Sequence, residues 1–255
     1  MDTAALVRRR IRWRPCYRVI PSRFPPIDLF ERVADAGDLD AVIALESLTN
    51  DRLRQEAGDI SLVPPADRVA GPGAGYIMAP FTHPAPGGGR FTRDGQGAYY
   101  AARTLDTAIA ETSYHRARFM AATAQPPMRL DMRVLEADLD GRLHDVRGVH
   151  TTQPALYDAG DYSASQALGG RLRAAGSDGV VYRSVRDPGG QCCAVFRPRR
   201  LRHCRATRHL WYAWDGQRIA AVYEARLLRG AGGTDDGGGT DGDGSTDVAP
   251  GASQG

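Results

Sequence analysis

The spacing of hydrophobic and polar positions along this chain predicts most of its elements. Residues 128–134 read Met-Arg-Leu-Asp-Met-Arg-Val, apolar at every second place, which predicts a half-buried strand. Residues 13–20 predict a shorter strand stopped by Pro21. Two apolar runs, 179–185 and 192–196, flank the turn-rich segment 186–190 and predict a hairpin. A second hairpin is expected from 210–214 and 217–224 around Asp215-Gly216. Helical spacing marks 105–119, where Leu105, Ala108, Ile109, Thr112 and Phe119 share a face behind Thr104 as N-cap. Further helices are expected at 163–175, with Asp161 upstream and Gly176 beyond, and at 27–36. Another is expected at 39–56, between Asp38 as N-cap and Gly58. Residues 58–90 are rich in Pro and Gly and predict little periodic structure. Strands and helices interleave without βαβ regularity. The expected fold is therefore α+β, a mixed, largely antiparallel sheet core with flanking helices.

Composition divides the chain more sharply than its average suggests. The 255 residues carry 33 cations, every one an arginine, and 30 anions, for a net charge of +3. Residues 230–255 hold five aspartates, ten glycines and no cation, so the preceding 229 residues carry +8. A tract of Gly, Asp, Ser and Thr has no apolar groups to offset its ordering entropy, which predicts a disordered tail. The expected organisation is a basic N-terminal arm at 1–12, one domain at 13–229 and that tail. Cysteines 16, 192, 193 and 204 form no Cys-x-x-Cys pair and no metal-ligand spacing, so no metal site is expected. Arg8-Arg9-Arg10 is followed by Ile11-Arg12-Trp13-Arg14-Pro15 instead of an apolar run, and no apolar stretch is long enough to span a bilayer. A cytoplasmic location with no membrane contact is expected.

Several motifs lack the context their chemistry requires. The glycines of 71–75 have no preceding strand and no following helix in the pattern, both of which a dinucleotide fingerprint needs. No Gly-x-Ser-x-Gly elbow or His-Glu-x-x-His pair occurs. Residues 197–209 hold six arginines and no anion, a stretch that could meet nucleic-acid phosphates, an acidic partner or solvent. No aromatic residue interrupts it, so single-strand stacking is not indicated.

Four separated blocks carry the candidate chemistry. They are Tyr17-Arg18-Val19; Gly88-Gly89-Arg90-Phe91 with Gly97-Ala98-Tyr99-Tyr100; Thr107-Ala108-Ile109-Ala110-Glu111; and 178–186 running on through Gly189-Gly190 to Phe196. In this order and spacing, together with Ser165-Gln166-Ala167-Leu168, they resemble the RES-domain family over roughly residues 13–210. The resemblance implies a fold related to ADP-ribosyltransferases and a toxin of a bacterial toxin–antitoxin pair. It implies cleavage of the nicotinamide–ribose bond of NAD, with the ADP-ribosyl group passing to water, phosphate or a protein. NAD is then a substrate, and no cofactor is implied. The implied partner is an antitoxin with a helix-turn-helix region, through which alone nucleic acid would be met. Arg18, Arg90, Tyr100, Glu111 and Ser184 fall on the family's active-site positions. Relative to compact members, residues at about 27–86 form an insertion.

The residue types suit that chemistry. Planar guanidinium forks bind pyrophosphate oxygens bidentately, which fits Arg18 and Arg90. Tyr100 offers a ring to stack and a hydroxyl as a polar handle. Cleaving an N-glycosidic bond develops positive charge on the ribose, which Glu111 can stabilise. Ser184 can orient Glu111 or the ribose. Singly, each residue has a plainer reading: a solvated helix glutamate, surface arginines, a core tyrosine, a turn hydroxyl. A catalytic set of Glu111, Ser184 and Arg90, with Arg18, Arg90 and Tyr100 binding NAD, rests on the ensemble. The alternative is a non-enzymatic module that binds nucleic acid or NAD through 197–209.

Overall fold

The architecture is known from a computed structural model. It describes residues 6–24, 27, 30, 31, 33, 35–39, 41, 42, 58–226 and 228. The unit made by residues 1–225 is built on seven strands: β1 (Arg8–Pro21), β2 (Tyr99–Ala102), β3 (Met128–Asp145), β4 (Gly179–Arg183), β5 (Gln191–Val195), β6 (Leu201–Trp214) and β7 (Ile219–Ala225). Among the described residues three complete α-helices accompany them: α1 (Ala74–Thr82), α2 (Leu105–Ala122) and α3 (Ser163–Ala174). The sheet runs β1-β2-β5-β4-β3-β6-β7, and β1 pairs with β3 as well, which closes five strands into a ring. Every pairing is antiparallel except β3 with β4. The fold is α+β with a mixed, mostly antiparallel sheet.

Side-chain alternation sorts the core into two clusters, one on each face of the sheet. On β3, Met132 and Val134 enter one cluster while Leu135, Ala137, Leu139 and Leu143 enter the other. The two adjacent cysteines divide the same way, Cys192 with the first cluster and Cys193 with the second. Residues of α2 and α3 pack with the first cluster, and α1 packs with the second. The alternation of 128–134 slips by one residue where Val134 and Leu135 are both buried, at a register shift against β6, and then continues through Leu135, Ala137 and Leu139 with the opposite face turned to the core.

Several expectations require correction. β1 begins at Arg8, so residues 8–12, expected in an arm, belong to the sheet. Their arginines are held against β3, with Arg10 and Arg12 on Asp140 and Arg9 on Asp145. Segment 58–90 is not devoid of regular structure, because it contains α1. That helix opens at Gly73, whose φ is +80°, has no side-chain cap, and contains Pro80. Local propensity does not favour it; burial of Ile77, Met78 and Phe81 does. The glycine run at 71–75 is therefore followed by a helix after all, although no strand precedes it. Residues 201–209, read as a basic segment, form the first half of β6. Most of the expected helices at 27–36 and 39–56, and the expected tail at 230–255, lie outside the described residues. Among the described residues no helix is long and apolar enough to cross a membrane.

The described part of the expected insertion is a packing element. Ile27, Phe30, Val33, Leu39, Val63 and the α1 side chains join Trp13, Leu139 and Leu201 in one cluster.

Candidate active site

A cavity of about 330 Å³ opens where β1 and β2 meet, lined by Tyr17–Val19 on one side and Tyr100–Ala102 on the other. These strands share a single register pair, Tyr17 with Ala102. Arg18 bridges the seam, donating from Nη1 to the carbonyl of Tyr100 at 3.0 Å. Its guanidinium carbon stands 5.1 Å from the centre of the Tyr99 ring. Burial pushes its pKa down.

Glu111 reaches the cavity from α2. The N-cap expected at Thr104 is formed, its hydroxyl accepting from the Thr107 amide. The Thr107 hydroxyl donates to Asp187 at 2.6 Å, which ties the β4–β5 turn to the start of α2. That tie brings Ser184 to Glu111, with Oγ donating to Oε1 at 2.6 Å. The amides of Arg186 and Asp187 donate to the same Ser184 oxygen at 3.0 and 2.9 Å. One donor and two acceptor sites are all a serine hydroxyl offers, so this one is fully committed. Ser184 does not line the cavity; it positions Glu111. The Cys192 thiol lies 3.8 Å from Oε1, and burial together with that carboxylate raises its pKa, keeping it a donor. Among the described residues, Glu111 Oε2 accepts no hydrogen bond.

Arg90 is buried in the opposite wall, on the turn 88–92. Its Nη1 donates to the carbonyls of Leu156 and Asp158 at 3.1 and 2.9 Å, and its guanidinium carbon lies 4.5 Å over the Tyr162 ring. Three of its five N–H groups thus have no protein partner among the described residues. The Tyr100 hydroxyl accepts from the Phe91 amide at 2.9 Å and lies 3.1 Å from Thr92 Oγ1. It buttresses the turn that carries Arg90, where a ligand-facing handle was expected; the ring itself lines the cavity. Gly89 is required beneath it, since a Cβ there would stand 2.7 Å from the Tyr100 oxygen.

All five expected residues therefore converge on one site, four in the wall and Ser184 behind Glu111. The expected list missed His115, Arg118, Tyr162 and Cys192, which also line it. His115 and Arg118 follow Glu111 by four and seven positions, one helical face, so their signal was present. Tyr162 arrives from a loop and had none. Burial lowers the His115 pKa; the Glu111 charge opposes this, and Arg186, Arg116 and Arg118 reinforce it. Arg18, Arg90 and Arg118 have no carboxylate partner among the described residues, and Glu111 is the only acidic side chain in the wall. The cavity is electropositive with one anchored carboxylate, as a site for cleaving an anionic substrate through a cationic transition state would be.

The RES domain family model matches residues 65–215, and the chain belongs to the RES-domain family. It is 33% identical over 211 residues to the uncharacterized protein y4oC of Sinorhizobium fredii, covering 81% of this chain and 86% of that one. A chain of the M. tuberculosis MbcT–MbcA toxin–antitoxin complex is similar at 16% identity, with a TM-score of 0.40 over 78% of this chain and 86% of that chain. The family match begins after β1, yet β1 supplies Arg18 and closes the ring.

The arginines of 197–209 prove mostly engaged. Arg197 and Arg199 meet Asp67, Arg200 meets Asp178, Arg205 meets Glu136 and Arg208 meets Glu224. Only Arg202 of the six has no ion pair among the described residues, which leaves little free charge for nucleic-acid phosphates.

Proposed function

We infer that this protein is an enzyme that cleaves the nicotinamide–ribose bond of NAD and acts as the toxin of a toxin–antitoxin pair. The observation that carries the reading is Glu111 Oε1 held by Ser184 at 2.6 Å inside a wall whose other charged groups are arginines. In this reading the free N–H groups of Arg18 and Arg90 take the pyrophosphate oxygens, and the aromatic rings of Tyr100 and Tyr162 bound the flat groups. A cavity of about 330 Å³ is at the small end of ligand sites, so it takes the reacting half of the dinucleotide. The C1′–N bond breaks with its electron pair leaving on nicotinamide, which departs neutral. Glu111 Oε2 stabilises the positive charge that develops on the ribose. An acceptor then bonds to C1′: water, phosphate or a protein side chain. Glu111 can take the proton that a neutral acceptor releases. Ser184 and Cys192 keep the carboxylate from turning away, and Ser184 does so from behind the cavity wall. A helix-turn-helix antitoxin in the cytoplasm is the partner that this reading expects.

Incubation with NAD, with and without phosphate, resolves the reaction by chromatography of its products. Released nicotinamide supports the reading, and labelled NAD that marks a lysate protein identifies transfer. Folded protein that binds NAD without product would make the chain a binding module instead.

A further inference from the structure

A second cavity, of about 340 Å³, lies between the 62–67 segment and the end of β5, and shares no lining residue with the Glu111 site. Its apolar lining comes from Val63, Pro64, Phe81, Phe196 and Pro198. Its polar side chains are Arg173, Arg197, Asp67, Ser177 and Gln96, the last accepting at Oε1 from the Arg93 amide. Most of these polar groups are satisfied. Asp67 holds Arg199 at 2.7 Å and Arg197 at 3.7 Å. Ser177 donates to the Gly179 carbonyl and lies 2.8 Å from His144 Nδ1.

Arg173 is the exception. Its guanidinium carbon lies 4.5 Å over the Phe196 ring, and Nη2 donates to the carbonyl of Gly97 at 2.7 Å. Its Nε is buried with no hydrogen-bond partner, and among the described residues no carboxylate pairs with it. Arg173 is half-buried as a residue, but a guanidinium N–H withdrawn from water normally has an acceptor, because leaving it unmatched is costly. Here the cation lines a cavity of ligand size beside an apolar wall of Val63, Pro64, Phe81, Phe196 and Pro198. We propose that this cavity binds a small organic anion, a carboxylate on an apolar or aromatic body, with Arg173 as its counter-charge. The carboxylate supplies what Arg173 lacks, and the body covers Phe81, Phe196 and the prolines. The proposal is independent of the chemistry at Glu111.

The test is calorimetric titration of the full chain with benzoate. Saturable one-to-one binding is expected, and neither inorganic phosphate, which lacks the apolar body, nor benzylamine, which has the wrong charge, displaces it. Arg173→Met weakens benzoate about tenfold or more, the worth of a hydrogen bond to a charged group. Glu111→Gln leaves benzoate binding unchanged. Should Arg173→Met fail to fold, Leu62→Glu at the exposed rim decides, since it sets an anion beside the incoming carboxylate and weakens binding without touching the core. No benzoate binding, binding indifferent to the folded variants, or displacement by phosphate or benzylamine overturns the proposal.

Discussion

Replacing Ser184 by alanine separates a positioning hydroxyl from one that contacts substrate. The change removes the 2.6 Å hydrogen bond to Glu111 Oε1 and the acceptor of two amides in the β4–β5 turn. A hydrogen bond to a charged group contributes about 1.5–3 kcal/mol, so its loss from a committed carboxylate lowers kcat roughly 10- to 150-fold. Ser184 is absent from the cavity wall, so KM for NAD stays unchanged. The stranded amides cost about 1–2 kcal/mol of stability, some few degrees in Tm for a domain of this size. Steady-state nicotinamide release at several NAD concentrations gives the split, with a melting curve beside it. Ser184→Thr keeps the hydroxyl and restores much of kcat. A Ser184→Ala enzyme within twofold of wild-type kcat would mean that Ser184 does not position Glu111, and one whose KM alone rises would mean that Ser184 contacts the ligand.

Other outcomes follow from the same geometry. Arg90→Lys loses the fork while keeping the charge, so NAD binding weakens by about tenfold in titration calorimetry; unchanged affinity removes Arg90 from the pyrophosphate. Gly169→Ala drives a Cβ to 2.1 Å from the Phe91 carbonyl, forcing α3 off the Arg90 turn, with a cost of about 1–3 kcal/mol in urea unfolding and a loss of turnover. Wild-type stability in that Gly169 variant would show that the turn yields freely. The buried His144, 2.8 Å from Ser177, has its pKa lowered by burial and by Arg8, as His115 does by burial. Such a histidine binds its proton more readily once unfolded, so stability is full above the unfolded value of about 6.5 and falls as pH drops from there toward the folded value. Urea midpoints at about pH 7.5 and pH 5 show the decline, and His144→Gln flattens it; equal slopes in both proteins contradict the assignment.

How far the sequence reveals this molecule varies with where its signals lie. The α2 cap, the β4–β5 and β6–β7 hairpins and α3 are all local, and each was legible within a few residues of chain. α1 was not, because its glycine start and internal proline argue against a helix and only the packing of Ile77, Met78 and Phe81 holds it. The early half of β6 reads as a cationic surface segment because its pairing partners are remote: Glu136 and Asp138 of β3 lie opposite Arg205 and Arg202. At the site, residue identities were legible from spaced blocks, but roles were not. Periodicity cannot show that the Tyr100 hydroxyl is spent on Phe91 and Thr92, or that Ser184 stands behind Glu111. Tyr162 reaches the cavity from an irregular loop whose carbonyls at Leu156 and Asp158 also anchor Arg90, a tertiary arrangement with no local signature.

In the proposed reaction an anchored Glu111 in an arginine-lined cavity breaks the nicotinamide–ribose bond. Chromatographic quantification of nicotinamide from NAD, with wild-type protein and Glu111→Gln in parallel, decides whether it does. Wild type is predicted to release nicotinamide together with free ADP-ribose, its phosphate derivative or an ADP-ribosylated protein. Glu111→Gln is predicted to bind NAD with similar affinity and release none. Folded wild-type protein that releases no nicotinamide with water, phosphate or lysate would contradict the claim, as would a Glu111→Gln enzyme of undiminished rate.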